Sequence, residues 1–258
     1  MTFLNYLKAG YPCLWVQTHE EDRAIATLSQ EAEGYKTFSW DIVSGLRNYE
    51  TSQITRMDDP LKPLQAMLSL PELSCLFVKD AHKFIESLDY FRTVKNIIPS
   101  LKGSGKHLIF ISPVLKIPIE LEKDITIYQF NLPTGTELME VAKKIIKENE
   151  LQFEADEKAV NAAIGLTLGE AENSFALSVI EKQKYDKGII EKEKLQAVKK
   201  SGLMEIYTAV KESELGGLNK LKKYLHNRKR GFTEDLPKPK GILLVGLPGA
   251  GKSLTAKV

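Results

Sequence analysis

The residues with the clearest chemical meaning are Gly246-Leu247-Pro248-Gly249-Ala250-Gly251-Lys252-Ser253. They fill every fixed position of the pattern G-x-x-x-x-G-K-[ST]. Glycines at this spacing let a backbone wrap closely around phosphates, with successive N–H groups turned toward negative charge. A helix opening at Leu254 adds the partial positive charge of its N-terminus. Lys252 is placed to reach β- and γ-phosphates as the catalytic cation, and the Ser253 hydroxyl to hold Mg²⁺. The spacing thus predicts a site for a nucleoside triphosphate and Mg²⁺.

Such a loop needs a buried strand behind it, and Ile242-Leu243-Leu244-Val245 is the apolar run in that place. A stretch rich in charge and proline, 226–240, precedes it as a linker. Upstream, residues 1–130 alternate between short apolar runs and helical spacing. Strands are predicted at 14–17, 36–40, 75–78, 108–111 and 125–130, with helical stretches over 20–31, 61–70 and 85–101. Buried strands separated by helices argue for βαβ units and a mostly parallel sheet. After Pro133 the period becomes helical throughout, with Leu138, Val141, Ile145 and Ile146 on one face and Ala159, Val160, Ala163 and Ile164 on the next. Further helices are expected at 175–182 and 191–199. The expected organisation is an α/β domain over 1–133, a helical subdomain over 134–200, a linker and helix over 201–240, and a second core beginning at 241. The chain stops about one turn past Ser253, before any acid that could hold Mg²⁺. It therefore reads as the N-terminal part of a longer protein, inactive in ATP hydrolysis as it stands.

The 258 residues carry 36 Lys+Arg against 34 Asp+Glu, a net charge of +2, which argues against a histone-like or tail-like role. With 43% hydrophobic and 27% charged residues, the composition is globular, neither disordered nor collagen-like. Cys13 and Cys75 lie in apolar runs without a C-x-x-C pair, which fits buried thiols in a reducing cytoplasm or plastid stroma. No apolar run approaches the ~18–20 residues of a membrane span. The N-terminus has no signal-peptide pattern, since Lys8 interrupts its apolar residues.

The stretch Pro237–Ser253 resembles the start of an AAA ATPase core. Glu214-Leu215-Gly216-Gly217-Leu218 looks like the segment those proteins place beside adenine, which implies nucleotide contacts for Leu215 and Gly216. Tyr11-Pro-Cys-Leu-Trp-Val-Gln-Thr-His-Glu-Glu-Asp-Arg23 and Gly165-Leu-Thr-Leu-Gly-Glu-Ala-Glu-Asn173 resemble the AAA proteins first noted as a hypothetical chloroplast reading frame and found widely in cyanobacteria. The resemblance covers nearly the whole chain. It implies a ring-forming homo-oligomer that hydrolyses ATP and remodels a protein client. It also casts residues 1–200 as a degenerate copy of an AAA module. The run 14–17 ends where a phosphate loop should follow, Asp80 stands where a Walker B acid would, and Ser112 stands where a sensor would. The helices after 134 stand where a lid would. The chemistry is missing, because Gln17-Thr18-His19-Glu20-Glu21-Asp22 has no glycine and three carboxylates, and Ala81 replaces the activating glutamate. Residues 18–23 are expected to hold no phosphate, leaving the module a role in scaffolding, assembly or recognition.

The smaller signals read as structure. Arg23 stands where H-E-x-x-H needs its second histidine, so His19-Glu20-Glu21 is a solvated helix start rather than a metal site. Asp80 and His82 lack a third ligand. Lys220, Lys222, Lys223, Arg228, Lys229 and Arg230 form a basic patch that permits nucleic-acid contact without indicating it, as no aromatic interleaving suggests base stacking. Trp15 and Trp40 read as core. Against the AAA motor stand an ATP-switched scaffold and a P-loop kinase. The kinase is disfavoured because its loop would ordinarily lie near the N-terminus.

Overall fold

A computed structural model describes residues 2–200, 215–229, 231, 241–247, 249 and 251–257. The chain divides into two compact units, Met1–Glu191 and Lys192–Val258. The first opens with α1 (Phe3–Lys8), β1 (Cys13–Gln17), α2 (Glu21–Glu31), β2 (Lys36–Asp41), β3 (Gly45–Asn48) and β4 (Ile54–Thr55). It continues through α3 (Leu61–Met67), β5 (Ser74–Lys79), α4 (Leu88–Leu101), β6 (Lys106–Ser112) and β7 (Thr126–Tyr128). The helices α5 (Gly135–Glu148), α6 (Glu157–Ala163), α7 (Leu168–Lys182) and α8 (Lys187–Lys200) follow. Beyond them lie α9 (Asn219–Lys229) and α10 (Lys252–Lys257).

The apolar runs become strands because both of their faces are covered. Successive side chains of a strand point to opposite sides, so an unbroken apolar run needs helices on each. Cys13, Trp15, Trp40, Leu76, Val78, Leu108 and Phe110 pack on one side with Leu64, Met67, Val94 and Ile98 from α3 and α4. Leu14, Val16, Phe77, Ile109 and Ile111 pack on the other with Phe3, Leu7, Ala24, Ile25 and Leu28 from α1 and α2. Trp15 and Trp40 are fully buried core residues, as expected. Both cysteines are free and buried, and burial pushes their thiols far up.

The sheet order is β4-β3-β2-β5-β6-β1-β7. The strands from β2 through β7 in that order pair in parallel, in keeping with the expected architecture. The antiparallel extension by β3 and β4 was not predicted. It depends on Gly45, whose φ of +82° suits glycine and whose added Cβ would lie 2.4 Å from the Thr55 carbonyl oxygen. Residues 135–200 form helices and carry no strand, only an isolated bridge between Ile164 and Leu166. Helices α5 and α7 each open with a reciprocal capping box, Thr134 with Glu137 and Thr167 with Glu170.

One expectation needs correction. Ile242–Val245 is not a strand, and Leu243 and Val245 are 87% and 86% exposed. A strand exists through its ladder of backbone partners. No strand among the described residues pairs with this run.

Candidate functional site

The phosphate-loop motif lies in the second unit. Gly249 and Gly251 have φ of +80° and +77°, the left-handed region that other residues enter only with strain. A Cβ added at either would meet nothing within 4 Å, so the glycines serve backbone conformation and leave their outer faces clear. Lys252 Nζ donates to the carbonyls of Gly246 and Leu247, each at 2.6 Å, folding the ammonium back over the loop. The Thr255 N–H and hydroxyl both donate to the Gly251 carbonyl, at 2.8 and 2.9 Å, and fix the junction between loop and α10. Ser253 is exposed, whereas Leu254 is half-buried. Leu215 is buried and its carbonyl accepts from Lys222 Nζ at 2.6 Å, while Gly216 is exposed. Pro248, Ala250, Glu214 and Arg230 lie outside the described residues. The chemistry present suits a triphosphate with its metal: a free-faced loop of left-handed glycines, an inward cation and an exposed hydroxyl.

The turn after β1 is built differently. Thr18 N–H donates to the Ser112 carbonyl at 2.9 Å, and Gln17 Nε2 donates to Pro113 at 3.2 Å, so β1 and β6 stay stitched beyond their ladder. Glu20 N–H donates to Thr18 Oγ1 at 3.0 Å and closes the turn on itself. The Glu20 carboxylate accepts from Leu168 N–H at 2.6 Å and from Arg23 at 2.9 Å. Lys79 donates to Asp22 at 2.6 Å and lies 3.8 Å from Glu21. Burial pushes the Glu21 carboxyl up, and the negative charge of Asp80 adds to the effect.

Asp80 has a left-handed φ of +55°, unusual for a side chain with a Cβ, and leads into a short 3₁₀ turn at Ala81–Lys83. His82 Nδ1 lies 2.6 Å from Ser112 Oγ and 4.0 Å from Asp80 Oδ1. The same imidazole nitrogen faces both partners, which rules out a relay from carboxylate through the ring to the hydroxyl. Among the described residues, no group of three or more His, Cys, Asp or Glu side chains is placed to hold a metal ion.

Residues 1–130 match the family model for the N-terminal domain of SpoVK-like AAA ATPases, and residues 136–201 match the model for that family's second domain. The chain belongs to the SpoVK-like AAA ATPases. An AAA domain-containing protein ycf46 from Guillardia theta is 32% identical, covering 99% of this chain and 54% of that relative. The ycf46 protein of Pyropia yezoensis is 31% identical, covering 97% and 54%. The chain thus spans about half the length of the curated relatives it matches. Among solved structures, the RuvB Holliday junction branch migration motor of Thermotoga maritima aligns with a TM-score of 0.44 at 13% identity, covering 74% of this chain and 67% of that one. Members of the AAA ATPase family bind ATP with Mg²⁺ and often oligomerise. The family-model matches lie upstream of the phosphate loop, so they and the loop motif are separate indications.

Arg23 is the residue that sequence reasoning missed. The sequence assigns it no partner: Glu20 lies three positions before it, but Asn131 and Glu137 lie 108 and 114 positions away. The S/T-x-x-E signatures at 134 and 167 were the available signals, since they mark the two helix starts that this turn meets.

Proposed function

We propose that residues 246–253 bind ATP with Mg²⁺ and that the whole protein hydrolyses it, working as a homo-oligomeric ring that remodels a protein client. The complete G-x-x-x-x-G-K-S loop, with left-handed backbone at Gly249 and Gly251, carries this reading. Gly246, Leu247, Pro248, Gly249, Ala250 and Gly251 supply the backbone cradle. Lys252 exchanges the carbonyls of Gly246 and Leu247 for phosphate oxygens, and Ser253 holds Mg²⁺, with Leu254 beginning the helix behind them. When bound, Mg²⁺ would supply charge that neutralises the phosphates. Leu215 and Gly216 flank the adenine. Residues 1–133 and 134–200 act as a nucleotide-free module for assembly or client recognition, because the turn at 18–23 presents carboxylates to any incoming phosphate. The setting is a cytoplasm or plastid stroma, and no helix among the described residues is long and apolar enough to cross a membrane.

The test is ATP hydrolysis and calorimetric ATP·Mg binding by the whole protein and its variants. Ser253→Ala is expected to weaken Mg²⁺ dependence more than nucleotide affinity. Tight binding without hydrolysis by the wild type would favour an ATP-switched scaffold instead.

A further inference from the structure

The chain path identifies one crevice in the first unit as the natural ligand position. From β1 the connection runs across the sheet to β2, whereas from β6 it crosses to β7 on the opposite side. Adjacent strands whose connections diverge define a switch point, and open α/β sheets bind ligands outside the carboxyl ends of such strands. That point lies beyond Gln17 and Ser112, at the turn holding Glu20.

What fills the turn is an anion of the protein's own. Helix α7 opens with backbone donors that have no partner within the helix. Its capping box occupies Thr167 and Glu170 with each other, and the next N–H, of Leu168, donates to Glu20 Oε1. The other carboxylate oxygen accepts from Arg23 Nη2. The side chains of Arg23 and Glu20 are only 13% and 9% exposed. Arg23 then reaches the start of α5, donating to the Asn131 carbonyl at 2.5 Å and to Glu137 at 3.3 Å, with its guanidinium 4.5 Å from the centre of the Phe130 ring. One turn thereby grips the N-terminal ends of both α5 and α7.

We infer that Glu20 is a built-in ligand: its carboxylate takes the place of a bound anion at the switch point and, through Leu168 and Arg23, holds the helical layer closed on the sheet without nucleotide. This rests on the proposed reading of residues 1–200 as nucleotide-free and adds the reason for it. Removing the side chain leaves two donors, an amide and a guanidinium, facing a gap the size of a small oxyanion. Glu20→Ala is therefore a site that takes formate or acetate.

The test uses the whole chain and hydrogen exchange, with formate, acetate and chloride as probes. In Glu20→Ala the Leu168 amide should exchange about ten- to a hundred-fold faster, as expected for loss of a hydrogen bond to a charged group. Formate or acetate should slow it again and raise the variant's Tm, while chloride at equal ionic strength does neither and the wild type responds to none. Glu20→Gln keeps the shape and an acceptor for Leu168. It should fall between the two, and it supplies the comparison should the alanine variant fold poorly. Unchanged exchange at Leu168 in both variants, or equal carboxylate effects on wild type and Glu20→Ala, would overturn the inference. ATP binding to residues 1–200 in a Lys252→Ala background would instead sink the nucleotide-free reading, whatever the exchange data give.

Discussion

Residues 18–23 and 246–253 both follow an apolar run and both lead into a helix, yet their chemistry differs. The later loop spends its sequence on glycine, keeps its outer face clear and holds one cation against its own carbonyls. The earlier turn has no glycine, ties its backbone to β6 and fills its space with carboxylates already paired to Arg23 and Lys79. The later loop's cation rests on carbonyls that a phosphate could replace. The earlier turn pairs its carboxylates with Arg23 and Lys79, although the buried Arg23 Nε has no partner among the described residues. What sets the two apart is that the carboxylates of the earlier turn are already held by Arg23 and Lys79.

The sharpest way to break this contrast is to exchange the consequences. Arg23→Ala should destabilise the first unit by about 3 kcal/mol, because it strands the buried Glu20 carboxylate, and should leave ATP affinity unchanged. Chemical denaturation beside calorimetric titration reads both numbers. Lys252→Ala should do the reverse: the first unit unfolds at the wild-type denaturant concentration, while ATP binding by the whole protein weakens by ~1.5–3 kcal/mol, roughly ten- to a hundred-fold. A smaller loss, ~1–2 kcal/mol in ATP binding, is expected for Gly251→Ala, since its cost is the left-handed backbone rather than a clash.

The smallest effect lies away from both turns. His107 is buried, its Nδ1–H donates to the Tyr11 carbonyl at 2.7 Å, and Nε2 has no partner. Burial pulls its pKa below the ordinary value near 6.5, with the Tyr11 contact opposing only in part. The unfolded chain then binds the proton more readily than the folded one. Stability is full above about pH 6.5 and falls as the pH drops toward the lower folded value. Thermal unfolding of wild type and His107→Gln between pH 8 and 5 checks this. The variant should lose less stability on acidification, and an equal loss would remove His107 from the account of the sheet.

Much of the sheet was legible because β1, β5 and β6 are buried on both faces and read as unbroken apolar runs. The hairpin of β3 and β4 was not, because its strands are short, mostly solvent-facing and held by the close approach at Gly45. Helix α7 begins at Leu168, ahead of the predicted 175, since its first turn is stabilised by capping rather than by an apolar stripe. The phosphate-loop motif stands out in the sequence because its spacing is local. Its supposed strand was not borne out, as apolar content alone does not supply a neighbouring strand. The closure by Glu20 and Arg23 joins segments up to 148 positions apart, a relation that spacing cannot encode.

The division of labour between the two turns comes down to stoichiometry. Calorimetric titration of ATP·Mg into the whole protein, wild type and Lys252→Ala, counts nucleotide sites attributable to this chain's two turns. The expected result is a site whose affinity falls roughly ten- to a hundred-fold in Lys252→Ala and is indifferent to Arg23→Ala. Nucleotide binding that survives Lys252→Ala and disappears with Arg23→Ala would place ATP at the earlier turn and contradict the division.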